Sequence, residues 1–535
     1  MDNTVSEQVN SENTNQEKID KIKSIHNEAN DSIKYFEYGE ALEKLQEAEI
    51  LMEELTDSPE VYRNLKLKNL DLAGHIQQIT GKWTQALRIY KSMLDLQEFV
   101  ENKRPIVTAY LGKGEILSNR GSYMAALDNM KEGLILSEKT GDPLYIARCY
   151  ISLGGLYSSM GEFETGKRLL EKAKTIINEH KDMEGMEFVQ ASENNQLGLK
   201  FFRNKEFEKA REQFQTTIEI METYPYSFER AEALRYIGIV NSIQSEYKAA
   251  LEHHSEALWI YQYSGYKLGQ AKIYNSLGQA CLSISRLNEA VHFMEKAESV
   301  CRIMEADAIS ATLYGKLGKV YMMKEEYDKA ERFFTRDVDM CKKFENYRAM
   351  AFATANLGEC SIYLGKNKQA IDYLKQSIEL FRKKGDKPNQ QRVGLLLVKA
   401  HINDGKLDDA SRKLEELSEM INTREISSEA GVYLMLDAII ERHNKDWEKA
   451  SQYFTRAIEV LKTKKDRFQL AEAYYEFGLL SLGLKDKDGA LAKFKEAFRI
   501  ARDLNLQKQR ARYFSMIERI DEREIVKMIM EELDK

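Results

Sequence analysis

A strict forty-residue period constrains this chain more than any other feature. The small residues Ala86, Ala126, Gly166, Ala210, Ala250, Ala290, Ala330, Ala370, Ala410, Ala450 and Ala490 recur at that spacing, with a longer step of 44 residues after Gly166 and one of 45 from Ala41 to Ala86. Twelve residues before most of them stands a glycine: Gly74, Gly114, Gly154, Gly198, Gly238, Gly278, Gly318, Gly358 and Gly478, with Ala29, Val398 and Ala438 as the exceptions. Three residues before the small residue comes a mostly aromatic position (Trp83, Tyr123, Phe163, Tyr327, Trp447), and four after it a large one (Tyr90, Phe214, Phe334, Phe454). Within a unit, apolar side chains recur three and four apart, break at a polar stretch such as Lys324-Glu325-Glu326, and then resume. Each unit therefore reads as two amphipathic helices joined by a tight turn. Glycine inside a helix costs roughly 1 kcal/mol relative to alanine, and the expected compensation at Gly318 is close packing of Ala330 against its bare backbone. A period this regular predicts an all-α solenoid of about twelve helical hairpins, each burying its apolar face on the next.

Composition agrees with a repeat array and narrows its chemistry. No Pro/Gly/Ser-rich linker divides the 535 residues after the first twenty, and the five prolines (Pro59, Pro105, Pro143, Pro225, Pro388) all fall between predicted helix pairs. The 79 basic and 86 acidic side chains leave a formal charge of −7, which gives no reason to expect a nucleic-acid or anionic-membrane partner. The N-terminal stretch lacks the apolar run of a signal peptide and no later window is apolar over a membrane's width, so the sequence predicts a soluble, cytoplasmic protein. The expected organisation is a disordered polar tail over 1–20, a solenoid over 21–505, and C-terminal capping helices over 506–535, where Asp521-Glu522-Arg523-Glu524 has the form of a capping box. Connections such as Gly141-Asp142-Pro143, Lys181-Asp182 and Gly385-Asp386 supply helix stop and start signals.

The motifs of catalysis and metal binding are missing from this pattern. Gly112-Lys113-Gly114 is a helical fragment without the rest of a phosphate loop. His253 and His254 are adjacent, so on a helix they point about 100° apart, and His254 falls at the large packing position. The five cysteines (Cys149, Cys281, Cys301, Cys341, Cys360) have no CxxC spacing, and each falls on a helix or its end. The chain is expected to be non-enzymatic, with no cofactor and no metal.

The motifs Trp83-Thr84-Gln85-Ala86-Leu87 and Tyr123-Met124-Ala125-Ala126-Leu127, with Leu277-Gly278-Gln279-Ala280-Cys281 and the Gly141-Asp142 loop, resemble the tetratricopeptide repeat in its forty-residue variety, similar to Pins-type polarity adaptors and kinesin light chains. The resemblance covers roughly residues 22–505 and lacks the family's proline at the end of the second helix. It implies a right-handed superhelix whose concave face, lined by first helices, holds a peptide or helical segment of a partner protein, as in a scaffold or adaptor. The alternative it implies is a peptide-responsive regulatory sensor whose superhelix changes shape on binding. By analogy the lining positions are Arg148, Asn195, Arg203, Arg235, Asn275, Gln279, Lys319, Met322, Tyr363, Arg392, Lys399 and Arg442. Their basic bias suggests an acidic or C-terminal-type ligand. The chaperone-tail clamp, a Lys followed four residues later by Asn, has no match at pairs such as Asp71/His75 or Asn275/Gln279.

Overall fold

The computed structural model describes residues 2–55, 59–423 and 425–520, with side chains from residue 15 onward. Among the described residues it contains twenty-five α-helices, one short 3-10 turn at Gln97–Phe99 and no strand. Consecutive helices pack as hairpins, from Asp2–Lys34 with Tyr38–Glu53 to Arg467–Gly483 with Lys487–Asp503, and Gln507–Ile520 follows as a single helix. The chain is an all-α repeat solenoid. It forms two compact units, Met1–Leu313 and Tyr314–Lys535.

The period in the sequence corresponds to one contact made repeatedly. In the hairpins that carry the glycine, its bare helical backbone receives the large side chain sixteen residues on, as with Tyr90 on Gly74, Phe214 on Gly198, Phe334 on Gly318 and Phe494 on Gly478. These four rings are at most 1% exposed. At Gly318 the structure therefore corrects the expected partner. The Phe334 ring, one helical turn beyond Ala330, occupies the space a Cβ would need. His254 fills the equivalent place over Gly238, fully buried, and burial pushes its imidazole down to about 3, so it is a neutral core residue.

The turn inside each hairpin has its own signature. Two residues before the aromatic position the backbone is left-handed, with φ of +80° at Gly81 before Trp83 and +58° at Glu325 before Tyr327. Glycine adopts this conformation freely, whereas a residue with a Cβ does so at a cost of roughly 1–2 kcal/mol. Between hairpins, Asp142, Asp386 and Asp466 accept hydrogen bonds from backbone N–H groups of the helices they precede, as expected of N-caps. Asp182 does not, because the helix Met186–Arg203 begins only after Gly185 and has no side-chain cap. Pro59, Pro105, Pro143 and Pro388 stand at or next to a helix start, where the missing N–H costs nothing.

The first helix runs from Asp2 to Lys34, entering the stretch read from sequence as an unstructured tail. Ile19, Ile22 and Ile25 are buried beside Ala48, Met52 and Leu65, and a helix anchored this way extends at little further cost per residue. At the other end, the capping-box sequence Asp521–Glu524 lies outside the described residues.

Candidate functional site

Each unit closes on itself after several repeats. In the first, the Tyr38 hydroxyl donates to the Ser264 carbonyl at 2.8 Å, 226 residues away, and Arg120 Nη2 pairs with Glu305 Oε2 at 2.6 Å. Trp83, Tyr90 and Met93 share one apolar cluster with Leu268, Ala271 and Met304. In the second, the Glu325 carboxylate accepts the backbone N–H groups of Lys508 and Gln509 at 2.5 and 3.3 Å.

Closure of the first unit leaves a cavity of about 740 Å³. Its wall is largely aromatic: Phe36 and Tyr38 from the first hairpin's turn, Phe188 from the helix Met186–Arg203, and Tyr224, Tyr226 and Phe228 from the connection before the helix Phe228–Ile243. Phe36 meets Tyr226 and Tyr263 edge-on at 6.5 and 5.3 Å between centroids, and Trp259 stacks on Tyr263 at 5.4 Å. The charged groups in the lining are Lys34, Arg148 and Glu229, with His75 and Ser192 beside them.

Arg148 is the electrostatic centre of this cavity. It makes no ion pair with a described residue, and its guanidinium lies 5.0 Å from the Tyr145 ring centroid. Its field reaches Asp71, His75, Glu115 and Glu229, which come from three different helices. Burial pushes the Asp71 carboxyl up to about 6 although Arg148 pulls it down. Burial likewise raises Glu115 despite Lys272, Gln78 and Arg148, and raises Glu229 despite its own N–H, Ser192 and Arg148. His75 keeps an open surface toward the cavity but is crowded by protein, and burial with the Arg148 charge holds it down to about 4. Arg148 thus acts on all three carboxylates, with Lys272 acting on Glu115 as well.

The twelve sequence-predicted residues do not form one site. Arg148 lines the large cavity, and Asn195 lies just behind it, its Nδ2 donating to the Glu229 carbonyl at 2.9 Å. Arg235 and Asn275 border a separate cavity of about 270 Å³ in the same unit, where Gln279 Nε2 donates to Asn275 Oδ1 at 3.2 Å. Tyr363, Arg392 and Lys399 share a cavity of about 220 Å³ in the second unit, with Glu359, Glu429 and Asp466 also in its lining. Arg203 is exposed beside the Phe163 ring, Lys319 is exposed within the field of Asp337, and Met322 is half-buried.

Two of the basic members are paired within the protein. Arg235 is 7% exposed and donates twice to Glu232, at 3.0 and 2.8 Å, while Arg442 pairs with Glu476 at 2.9 Å. Burial opposes ionisation of Glu232, yet Arg235 and Lys272 outweigh it and hold the carboxyl well below the ordinary range. Arg235 and Arg442 are thus already neutralised within the protein. Sequence reasoning missed His75, Phe36 and the aromatic connection. The available signal was Tyr224-Pro225-Tyr226-Ser227-Phe228, an aromatic run where other connections carry Gly-Asp.

Two tetratricopeptide-repeat family models match this chain, one over residues 189–262 and 309–383, the other over 147–180 and 271–302. The matched segments are tetratricopeptide repeats. Residues 434–511 also match a model described as anaphase-promoting complex subunit 5. Among curated relatives, the repeat region is 26% identical over 238 residues to kinesin light chain-related 1 of Arabidopsis thaliana, and 23% identical over 262 residues to kinesin light chain-related 2. These alignments take in 41% and 45% of this chain but only 37% of each relative's length. Among solved structures, apo RapI superposes with a TM-score of 0.55 at 11% identity, covering 67% of this chain and 98% of its own. The apo quorum sensor NprR of B. thuringiensis gives 0.50 at 13% identity, covering 68% and 99%. At such identities the likeness establishes the helical-repeat fold.

Proposed function

We propose that the protein is a non-enzymatic adaptor that holds a peptide or helical segment of a partner protein in the concave cavity of its first unit, in the cytoplasm. The observation that carries this reading is the 740 Å³ cavity itself, walled by aromatic side chains from well-separated repeats and floored by charged groups. Rigid aromatic walls offer large contact area at small entropic cost. Walls supplied by several repeats distribute recognition along a bound segment. The test is cross-linking mass spectrometry on captured partners, comparing wild type with Ser192→Tyr, which fills the cavity from the helix Met186–Arg203. Cross-links from partners to Lys34, in the cavity lining, are expected in wild type and lost in the variant. Partner links confined to the outer helices and indifferent to the substitution refute the assignment.

A second reading, a ligand-responsive sensor, has its own support. The cavity wall includes Tyr38, whose hydroxyl holds the closure to Ser264, so an occupant touches both sides of that junction. Small-angle scattering decides it: a change in dimensions on adding a bound peptide supports the sensor, and unchanged dimensions support a static adaptor.

A further inference from the structure

Positive charge predominates in the lining of the first unit's large cavity. It holds two cations, Lys34 and Arg148, and one carboxylate, Glu229. Lys34 is exposed at the end of the helix Asp2–Lys34, Arg148 rises from the second turn of the helix Pro143–Met160, and neither forms an ion pair with a described residue. Glu229 is already engaged, because the Ser192 hydroxyl donates to its Oε1 at 3.4 Å. Asp71 and Glu115, which share the field of Arg148, are not among the lining residues. The backbone adds charge of the same sign. The lining includes the opening turns of three helices: Leu144 in Pro143–Met160, Gly185 immediately before Met186–Arg203, and Ser227 with Phe228 where Phe228–Ile243 begins. A helix start presents N–H groups without intrahelical partners, equivalent to about half a positive charge. Asp142 and Ser227 cap two of these starts with their side chains, whereas Met186–Arg203 has no side-chain cap.

We infer that this cavity takes a carboxylate carried on an apolar peptide segment, with the charge set against Arg148, Lys34 and the helix start at Gly185 and the apolar body against the aromatic wall. This rests on the peptide-binding function proposed above and gives it a charge. A guanidinium offers a carboxylate two parallel N–H donors. Because Arg148 has no internal ion pair, a guest reaches it without displacing a protein carboxylate. A cationic guest meets two like charges and a single acid that is already hydrogen-bonded. The carboxylate can belong to a peptide's C-terminus or to an Asp or Glu side chain, which present the same two oxygens.

The test uses the full chain and a pooled mixture of random N-acetylated hexapeptides, supplied as free acids and as C-terminal amides, retained at equilibrium and identified by mass spectrometry. Peptides that carry a carboxylate are expected to be enriched about tenfold over amides lacking Asp and Glu, an enhancement of the size ion pairing at a partly buried site supplies. Enrichment that follows the free-acid form places the carboxylate at the peptide end, and enrichment that follows Asp or Glu among the amides places it on a side chain; either supports the charge assignment. The Lys34→Gln/Arg148→Gln double variant should lose the enrichment while keeping its fold, since neither cation leaves an ion-pair partner behind. Retention with no preference for carboxylates, or with a preference for Lys and Arg, that is lost in Ser192→Tyr overturns the charge assignment but leaves the peptide-binding function standing. No retained peptide at all overturns both. Carboxylate enrichment that persists in the double variant also overturns the assignment, because the anions are then held elsewhere.

Discussion

Glu325 caps a helix that begins 183 residues later, its carboxylate accepting the backbone N–H of Lys508 at 2.5 Å and of Gln509 at 3.3 Å. The side chain is buried, and the Lys508 ammonium lies 4.5 Å from the neighbouring Tyr327 ring. A carboxylate at a helix N-terminus satisfies two otherwise unpaired donors and meets the positive end of the helix dipole. Closure of the second unit thus depends on a residue in a left-handed backbone conformation that glycine fills in several other hairpins.

That trade can be measured. Glu325→Ala removes the cap and keeps the strained backbone, so it is expected to destabilise by roughly 1–2 kcal/mol. Glu325→Gly also loses the cap but relieves the strain, and should fall between Ala and wild type. Hydrogen exchange at the amides of 508 and 509 should accelerate in both. Unchanged exchange there would mean the carboxylate does not hold the helix start.

The second prediction concerns the glycine–ring contact. Gly318→Ala places a methyl group against Phe334, a flat ring 1% exposed that cannot swing aside, and should cost roughly 1–3 kcal/mol by overpacking. Phe334→Leu in the same chain should recover part of the loss, because Leu170 and Leu374 occupy the equivalent place over Gly154 and Gly358. Additive penalties in a double-mutant cycle would show that the two positions do not touch.

Much of this was legible in the sequence, for a reason of scale. Contacts within a hairpin join residues twelve to sixteen apart, so the forty-residue period displays them directly, and the helices, turns and buried rings follow from it. The partner of Gly318 was misassigned by one helical turn because Ala330 and Phe334 lie on one helix face, and only packing tells which side chain fills the gap. Closure was not legible. How far the superhelix advances per repeat is a property of stacked units, so the pairing of Tyr38 with Ser264, and the cavity that results, has no mark in any single repeat. The same holds for Arg442, whose neutralising Glu476 is 34 residues away. Arg235 was readable in principle, since Glu232 precedes it by three residues on the same helix.

Acidity should stabilise the protein through Glu193, which is 3% exposed with Oε1 unpartnered among the described residues. Burial pushes its carboxyl up from 4.5 to about 7, against the pull of Lys174. A folded-state value above the unfolded one means the native state binds more protons between those limits, so this contribution is full below about 4.5 and is lost as pH rises through about 7. Glu193→Gln should therefore raise stability by about 1–3 kcal/mol at pH 8, with the advantage vanishing near pH 5. Urea titrations at both pH values check it, and an equal gain at each would place the effect in packing rather than charge.

The last prediction separates two arginines that look alike in sequence. Arg235 is buried, chelates Glu232, reaches Ser276 Oγ at 3.5 Å and lies 4.0 Å from the Tyr236 ring centroid. Removing it leaves the half-buried Glu232 with only Lys272 at 3.6 Å and the Tyr261 hydroxyl at 2.9 Å. Arg235→Met should thus cost roughly 3–5 kcal/mol. Arg148 has no ion-pair partner to strand, so Arg148→Met should alter stability by less than about 1 kcal/mol. Its effect should be on what the cavity retains. Thermal melts and peptide retention measured on both variants distinguish these roles. If Arg235→Met melts like wild type, or Arg148→Met unfolds the chain, the division between structural and ligand-facing arginines is the reverse of the one their surroundings indicate.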